Sequence, residues 1–394
     1  MTYPERFSNL PEYAFPRLRS LLNGIEAGGE PIAMSIGEPR HDFPDFVRTV
    51  IAEHALEFGK YPPNEGSPEL LNAIAGWVSR RYNVNLALDR QIMALNGTRE
   101  GLFNACLALC PDTADNGKQA IVLMPNPFYQ VYAVGAIAAG AEPMYLPATR
   151  ETGYLPDYGG LPAEVLDRVS VAFICSPSNP QGAVASRDYL GQLIELAESH
   201  DFQIFADECY SELYADEPPV SALQVATEMG ASPERVLIFH SLSKRSNVPG
   251  LRSGFVAGGP ESISRIKQLR AYAGAPLPLP LQRAATRLWS DESHVAHNRA
   301  LYIEKYQLAD DIFQYVPGYR GPEAGFFLWM PVEDGEQATR KLWQETGVRV
   351  LPGAYLSRDL DGENPGQGYI RVAMVAPREE LQRGLIKLRD CLYR

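Results

Sequence analysis

The chain has little of what builds disulfide frameworks or metal centres. Its 394 residues include five cysteines and six histidines. The cysteines, Cys106, Cys110, Cys175, Cys209 and Cys391, are odd in number and form no CxxC pair, a pattern of reduced thiols rather than of a stapled scaffold. Cys106 and Cys110 stand at i, i+4 in EGLFNACLALC and read as one buried helix face. His294 and His297 have no third ligand near them and HExxH is absent, so no metal is expected. GxxxxGK(S/T) and GxGxxG are missing too, which disfavours a nucleotide-binding α/β protein without enzymatic activity.

Basic clusters and long apolar runs are also absent. With a net charge of −12 and its cations dispersed, the chain is not expected to bind nucleic acid or an anionic membrane surface. The apolar run AVGAIAAGA, Ala133 to Ala141, is far too short for a bilayer. The opening MTYPERFSNLPEY carries no apolar export-signal core, so a cytoplasmic protein is expected. Hydrophobic residues at 45% and charged residues at 21% are ordinary globular values, so the chain should fold throughout, and its length suits two domains.

From about Gly97 to Gly259, short β-rich runs alternate with segments of helical period. The runs are AIVLMP (Ala120 to Pro125), EPMYLP (Glu142 to Pro147), VAFICSP (Val171 to Pro177), FQIFADE (Phe202 to Glu208), RVLIFHS (Arg235 to Ser241) and GFVAGG (Gly254 to Gly259). Helix candidates lie between several of them, including SRDYLGQLIELAESH with Ser186 as N-cap. This predicts an α/β fold with a mostly parallel sheet flanked by helices. After the PLPLP run (Pro276 to Pro280), which should break any regular element, a helix-plus-strand mixture suggests a smaller α+β domain. The expected division is a large cofactor-binding domain over residues 46–278 and a small domain built from residues 1–45 and 279–394.

Ligands of open α/β sheets bind beyond the carboxyl ends of the strands, so polar residues just after strand ends matter. Asn179 follows VAFICSPS, Asp207 and Tyr210 close FQIFADECY, and Ser241, Ser243 and Lys244 follow RVLIFH. A lysine, a carboxylate, a tyrosine, hydroxyls and the nearby Arg252 suit a cofactor with an aldehyde, a basic ring nitrogen and a phosphate. That combination describes pyridoxal 5′-phosphate.

From about Met34 to Arg371 the chain resembles the class I/II aminotransferases of the aspartate aminotransferase fold. The resemblance rests on SIGEP, YPPNEGSPELLNAIAGW, NGTREGL, PNPFYQVY, SPSNPQG, ADECYSELY, HSLSKRSNVPGLRSG and YIRVAMV, in the family's order. It implies that Lys244 condenses with the cofactor aldehyde and that Asp207 partners the pyridine nitrogen. Tyr210 and Asn179 would bond the ring's phenolic oxygen. Gly97, Thr98 and Arg99 would open a phosphate-binding helix, with Ser241, Ser243 and Arg252 completing the phosphate cup. Tyr129 would stack on the ring, and Tyr61 would reach the phosphate of a neighbouring subunit in a homodimer with shared sites. Gly37 and Arg371, with Asn179, would hold the substrate α-carboxylate. Catalysis would fall to Lys244 as the base at Cα, with Asp207 and Tyr210 tuning the ring, in a ping-pong exchange between amino acids and 2-oxo acids.

Several of these residues keep a second reading. Tyr61 and Tyr129 also suit plain packing, and Arg371 also suits a surface charge on an edge strand. Within the family, HSLSKRSNVPGLRSGFVAGG, NGTREGLFNA, PNPFYQVY and SDESHVAHNRALY are very similar to N-succinyl-LL-diaminopimelate aminotransferases of bacterial lysine biosynthesis, with 2-oxoglutarate as acceptor. The departure is AYAGAPLPLPLQ, Ala271 to Gln282, which bears on specificity if it lines the substrate mouth. Arg40 and Arg245 are the candidates for the donor's distal carboxylates, with solvated surface arginines as the plain alternative. Another donor specificity (aspartate, aromatic or LL-diaminopimelate), or a same-fold β-lyase, remains the alternative function.

Overall fold

The computed structural model describes residues 5–394. Its strands in chain order are β1 (Ile32–Ala33), β2 (Ile92–Leu95), β3 (Ile121–Asn126), β4 (Glu142–Pro147), β5 (Val169–Cys175), β6 (Gln203–Asp207), β7 (Val236–Ser241), β8 (Gly254–Ala257), β9 (Phe327–Pro331), β10 (Val348–Arg349), β11 (Leu351–Pro352) and β12 (Tyr369–Ala373). Seven of them form the main sheet in the order β2-β8-β7-β6-β5-β3-β4. β8 runs antiparallel to both its neighbours, and the remaining pairs are parallel.

Alternation along each central strand splits its side chains between two cores, as the period of two requires. Ala172 and Ile174 of β5, Ile204 and Ala206 of β6 and Ile238 of β7 face one core. Phe173, Phe205, Leu237 and Phe239 face the other. Helices Pro68–Tyr82, Arg187–His200 and Ala222–Met229 cover the first face, and helices Thr98–Leu109, Gln130–Ala139 and Pro260–Ala273 cover the second. The Ser186 cap forms as expected, its side chain accepting from Tyr189 N at 3.1 Å. Cys106 and Cys110 are buried.

A third core gathers β9, β12 and the helices Ser293–Phe313, Gly335–Thr346 and Arg378–Leu392. Ile32 and Met34 join it because β1 pairs with β10, and this brings the N-terminal segment beside the C-terminal third of the chain. Cys209, Tyr210 and Leu213, just beyond β6, enter the same core, so the main sheet's carboxyl edge meets this unit directly.

Three local expectations differ. PLPLP does not prevent a helix: Leu279–Ser290 begins inside it, with Pro280 in the first turn where no amide donor is needed. That helix buries Ala284, Ala285, Leu288 and Trp289 against the main-sheet core, beyond the expected boundary at residue 278. β2 lies outside the expected run of strands. The Lys244 segment, directly after β7, forms a short helix, Leu242–Arg245. Among the described residues no helix is long and apolar enough to cross a membrane.

Candidate active site

A cavity of about 930 Å³ opens where the carboxyl ends of β5, β6 and β7 meet the third core. Its wall brings together Gly37, Thr98, Arg99, Tyr129, Asn179, Asp207, Tyr210, Ser241, Ser243, Lys244, Arg252 and Arg371. Asp207 is the last residue of β6 and Ser241 the last of β7, so strand length alone delivers both to the rim.

Asp207 is 5% exposed and accepts from Tyr132 Oη at 2.8 Å and Cys209 N at 3.4 Å. Burial pushes its carboxyl above the usual range. No cationic side chain of the described residues pairs with it, which leaves a buried carboxylate in want of a cation. Lys244, on the short helix after β7, donates from Nζ to Gly37 O at 2.5 Å. Burial is the main cause that brings its amine down to about 8, with Arg371 and Arg252 adding to it and Cys209 and Glu38 opposing. Arg371, on β12, donates from Nη1 to Asn179 Oδ1 at 3.1 Å and from Nη2 to Ser35 O at 2.8 Å. Its Nε has no partner among the described residues, and its guanidinium lies 4.2 Å from the Phe327 ring centre. Burial lowers this guanidinium to about 10, which leaves it ionised at neutral pH.

The opposite end of the cavity is built for an anion. Helix Thr98–Leu109 starts without a side-chain cap, so its first amides remain as donors. Gly97 stands at φ 84°, and a Cβ there would run into the Arg252 guanidinium, so glycine lets the backbone and that cation close on one point. Arg252 is itself held at φ 56° by bonds from Nη1 to Pro249 O (2.8 Å) and Nη2 to Asn96 O (3.1 Å). Ser241 Oγ accepts from Ser243 N at 3.0 Å and lies 2.9 Å from Ser243 Oγ. Thr98 Oγ1 lies 3.2 Å from Cys209 Sγ, and Arg99 Nε donates to Tyr129 Oη at 2.8 Å.

These residues fit pyridoxal phosphate. The uncompensated Asp207 suits a protonated ring nitrogen, the helix N-terminus with Ser241, Ser243 and Arg252 suits a phosphate, and Lys244 brings an amine between them.

Other residues stand elsewhere. Tyr61 is fully exposed and outside its own chain's cavity. Arg40 is turned away into a bidentate pair with Glu380 (2.6 and 3.1 Å) and does not line the cavity. Arg245 is 2% exposed, neither a mouth residue nor a surface one. One residue further round a helical turn than Lys244, it points into the core between Trp77 and Trp289, donating to Leu288 O (2.8 Å) and Glu292 Oε1 (2.6 Å). Both arginines are therefore withdrawn as contacts for distal carboxylates. No residue of Ala271 to Gln282 lines the cavity. Gln282 is instead buried, accepting from Ser67 N at 2.6 Å.

Sequence reasoning missed Tyr132, Phe327, Glu38 and Tyr13, all on the cavity wall. Only Tyr132 carried a signal, since it stands at i+3 from Tyr129 at the start of a helical segment.

The comparisons agree with this geometry. The family model for aminotransferase class I and II matches residues 30–388. The chain is 33% identical over 402 residues to an LL-diaminopimelate aminotransferase of Desulforudis audaxviator, covering 99% of this chain and 98% of that protein. It is 31% identical over 399 residues to one of Dehalococcoides mccartyi, covering 98% of each. An aminotransferase structure from Neisseria meningitidis Z2491 superposes with a TM-score of 0.93 at 37% identity, covering 98% of this chain and 99% of that one. With its family model matched almost end to end, this chain belongs to the class I and II aminotransferases, whose cofactor is pyridoxal 5′-phosphate.

Proposed function

We propose that the chain moves the amino group of a 2,6-diaminopimelate donor, in its N-succinyl-LL form, to 2-oxoglutarate. The observation that carries the reading is the pairing, in one cavity, of the Lys244 amine with the buried Arg371 guanidinium. Arg371 then receives the substrate α-carboxylate, with Asn179 and the Gly37 loop beside it, which sets the α-carbon over the lysine. Pyridoxal phosphate, when bound, supplies an aldehyde that condenses with amines and a ring that accepts the electron pair of the Cα–H bond. Asp207 would hold a proton at the ring nitrogen, and Tyr210 with Asn179 would bond the ring oxygen. The amides of Gly97, Thr98 and Arg99, with Ser241, Ser243 and Arg252, would hold the phosphate, and Tyr129 would pack against the ring. Lys244 moves the proton from Cα. With an amine near 8, the neutral base is already present at neutral pH and its share grows as pH rises through that value.

The donor skeleton rests on the names of the two relatives that align along nearly their whole length. For the succinylated form, support comes from the run KRSNVPGLR and its companions, and from Arg99, which offers a cavity cation to a distal carboxylate. Glu38 favours a second reading, unsuccinylated LL-diaminopimelate, because its carboxylate on the same wall suits a distal ammonium. We also propose a homodimer in which Tyr61, exposed as Leu56 and Phe58 are, reaches the partner's phosphate site.

The test is a donor panel on purified holoenzyme with 2-oxoglutarate: N-succinyl-LL-diaminopimelate, LL-diaminopimelate, aspartate and an aromatic amino acid. Highest kcat/KM for the succinylated donor is expected. Preference for LL-diaminopimelate selects the second reading, and preference for aspartate or an aromatic donor overturns the diaminopimelate skeleton. Pyruvate released from a sulfur amino acid without acceptor would indicate a lyase.

A further inference from the structure

Lys305, on the helix Ser293–Phe313, is 2% exposed and touches none of the cavity. Among the described residues it has no carboxylate partner, and a lysine so placed costs stability that a methionine of similar length would not. Its contacts show what the amine does there. Lys305 Nζ lies 2.6 Å from His41 Nε2 and donates to Met374 O at 3.1 Å. An amine next to Nε2 makes that nitrogen the acceptor, so the His41 proton sits on Nδ1, which faces Asn298 Oδ1 at 2.9 Å. Asn298 Oδ1 also accepts from Asn247 Nδ2 at 3.0 Å, so its own Nδ2 points on to Lys244 O at 3.4 Å. The donors thus run one way, from Lys305 through His41 and Asn298 to the backbone of the catalytic lysine.

Each anchored segment carries a site residue. His41 closes the loop that begins at Ser35 and contains Gly37, whose carbonyl accepts from Lys244 and whose neighbour Ser35 accepts from Arg371. Met374 directly follows β12, which carries Arg371. Aromatic packing runs alongside: the His41 ring lies 4.8 Å from Tyr302, Tyr302 stacks on Phe326 at 5.7 Å, and Lys244 Nζ is 5.2 Å from the Phe326 ring centre. Burial, helped by Arg40, brings the Lys305 amine down to about 7, and as ammonium or amine it still has hydrogens to donate to both partners.

We propose that Lys305 and His41 are positioning residues of the α-carboxylate site, holding the loop 35–41 and β12 so that Gly37 and Arg371 act on one carboxylate. This rests on the reading that Arg371 binds that carboxylate. Neither residue reaches substrate or cofactor, so their loss should weaken substrate binding rather than cofactor binding or the proton transfer.

The experiment compares Lys305→Met and Lys305→Gln with wild-type holoenzyme. It records thermal unfolding, cofactor affinity by absorption, and saturation with glutamate, LL-diaminopimelate and N-succinyl-LL-diaminopimelate. Lys305→Met should raise KM about tenfold, by a similar factor for every donor that wild type turns over, with kcat within about threefold and cofactor affinity unchanged. Lys305→Gln, which can still donate to the ring and the carbonyl, should recover most of the loss. An unchanged KM, a loss of cofactor affinity or kcat in step with KM, or a glutamine variant as poor as methionine would overturn the proposal. Should Lys305→Met fail to fold, His41→Gln takes the same comparison and decides by the same criteria. The wild-type donor order reports separately on the donor reading, and Arg371→Met in parallel reports on the carboxylate reading.

Discussion

Replacing Arg371 by methionine removes the charge while keeping a stem that still packs on Phe327. The guanidinium is buried, remains ionised with its pKa near 10, and has Nε without a partner among the described residues. If it binds the substrate α-carboxylate through a fork of two charge-assisted hydrogen bonds, each worth about 1.5–3 kcal/mol, the loss is about 3–6 kcal/mol. At about 1.4 kcal/mol per factor of ten, kcat/KM should fall by roughly a hundredfold to ten-thousandfold. The bonds to Asn179 and Ser35 are lost as well, but Asn179 lines the cavity, where water can replace the donor. Exchanging a buried charge for an apolar side chain is often close to neutral for folding, so thermal stability should change little. The assay is steady-state kinetics on holoenzyme, with cofactor content read by absorption. A fall in kcat/KM of less than about tenfold would refute the reasoning, as would an equal loss of cofactor, which would make Arg371 a support of the cofactor end.

Asp207→Asn keeps the shape and the Tyr132 contact but removes the charge expected to hold the ring nitrogen protonated. Turnover should fall by roughly two orders of magnitude or more with cofactor still bound, measured by single-turnover absorbance, and near-normal turnover would make Asp207 structural. For the dimer, mixing inactive Lys244→Ala protein with a Tyr61→Phe protein weakened in phosphate binding should create hybrids with one intact site. Activity gained on mixing is the expected outcome, and no gain despite subunit exchange shown by mass would contradict the shared site.

Much of the site was legible because strand ends and family motifs are short-range signals. Asn179, Asp207, Ser241 and Lys244 stand on or just past β5, β6 and β7, and once those strands are recognised their carboxyl ends share a rim. Arg40 and Arg245 were misjudged because nearness in sequence to Gly37 and Lys244 says nothing of direction. On a helical turn adjacent residues diverge by about 100°, and Arg245 finds two tryptophans and a carboxylate on its own side. Tyr132, Phe327 and the Lys305–His41 pair escaped for a related reason. Their roles arise from contacts between segments far apart in the chain, such as Lys305 with Met374, and no periodicity encodes those. β2 was missed because IMAL stands just before NGTRE, upstream of the stretch from about Gly97 where strand and helix segments visibly alternate.

The central claim is that Lys244 is the lysine that binds pyridoxal phosphate covalently. Borohydride reduction of the cofactor-loaded protein, followed by proteolysis and mass mapping, tests it directly. The account predicts one modified peptide carrying reduced cofactor on Lys244, and none in Lys244→Ala protein treated the same way. A stoichiometric adduct on any other lysine, or no adduct in a protein that binds the cofactor, would contradict it.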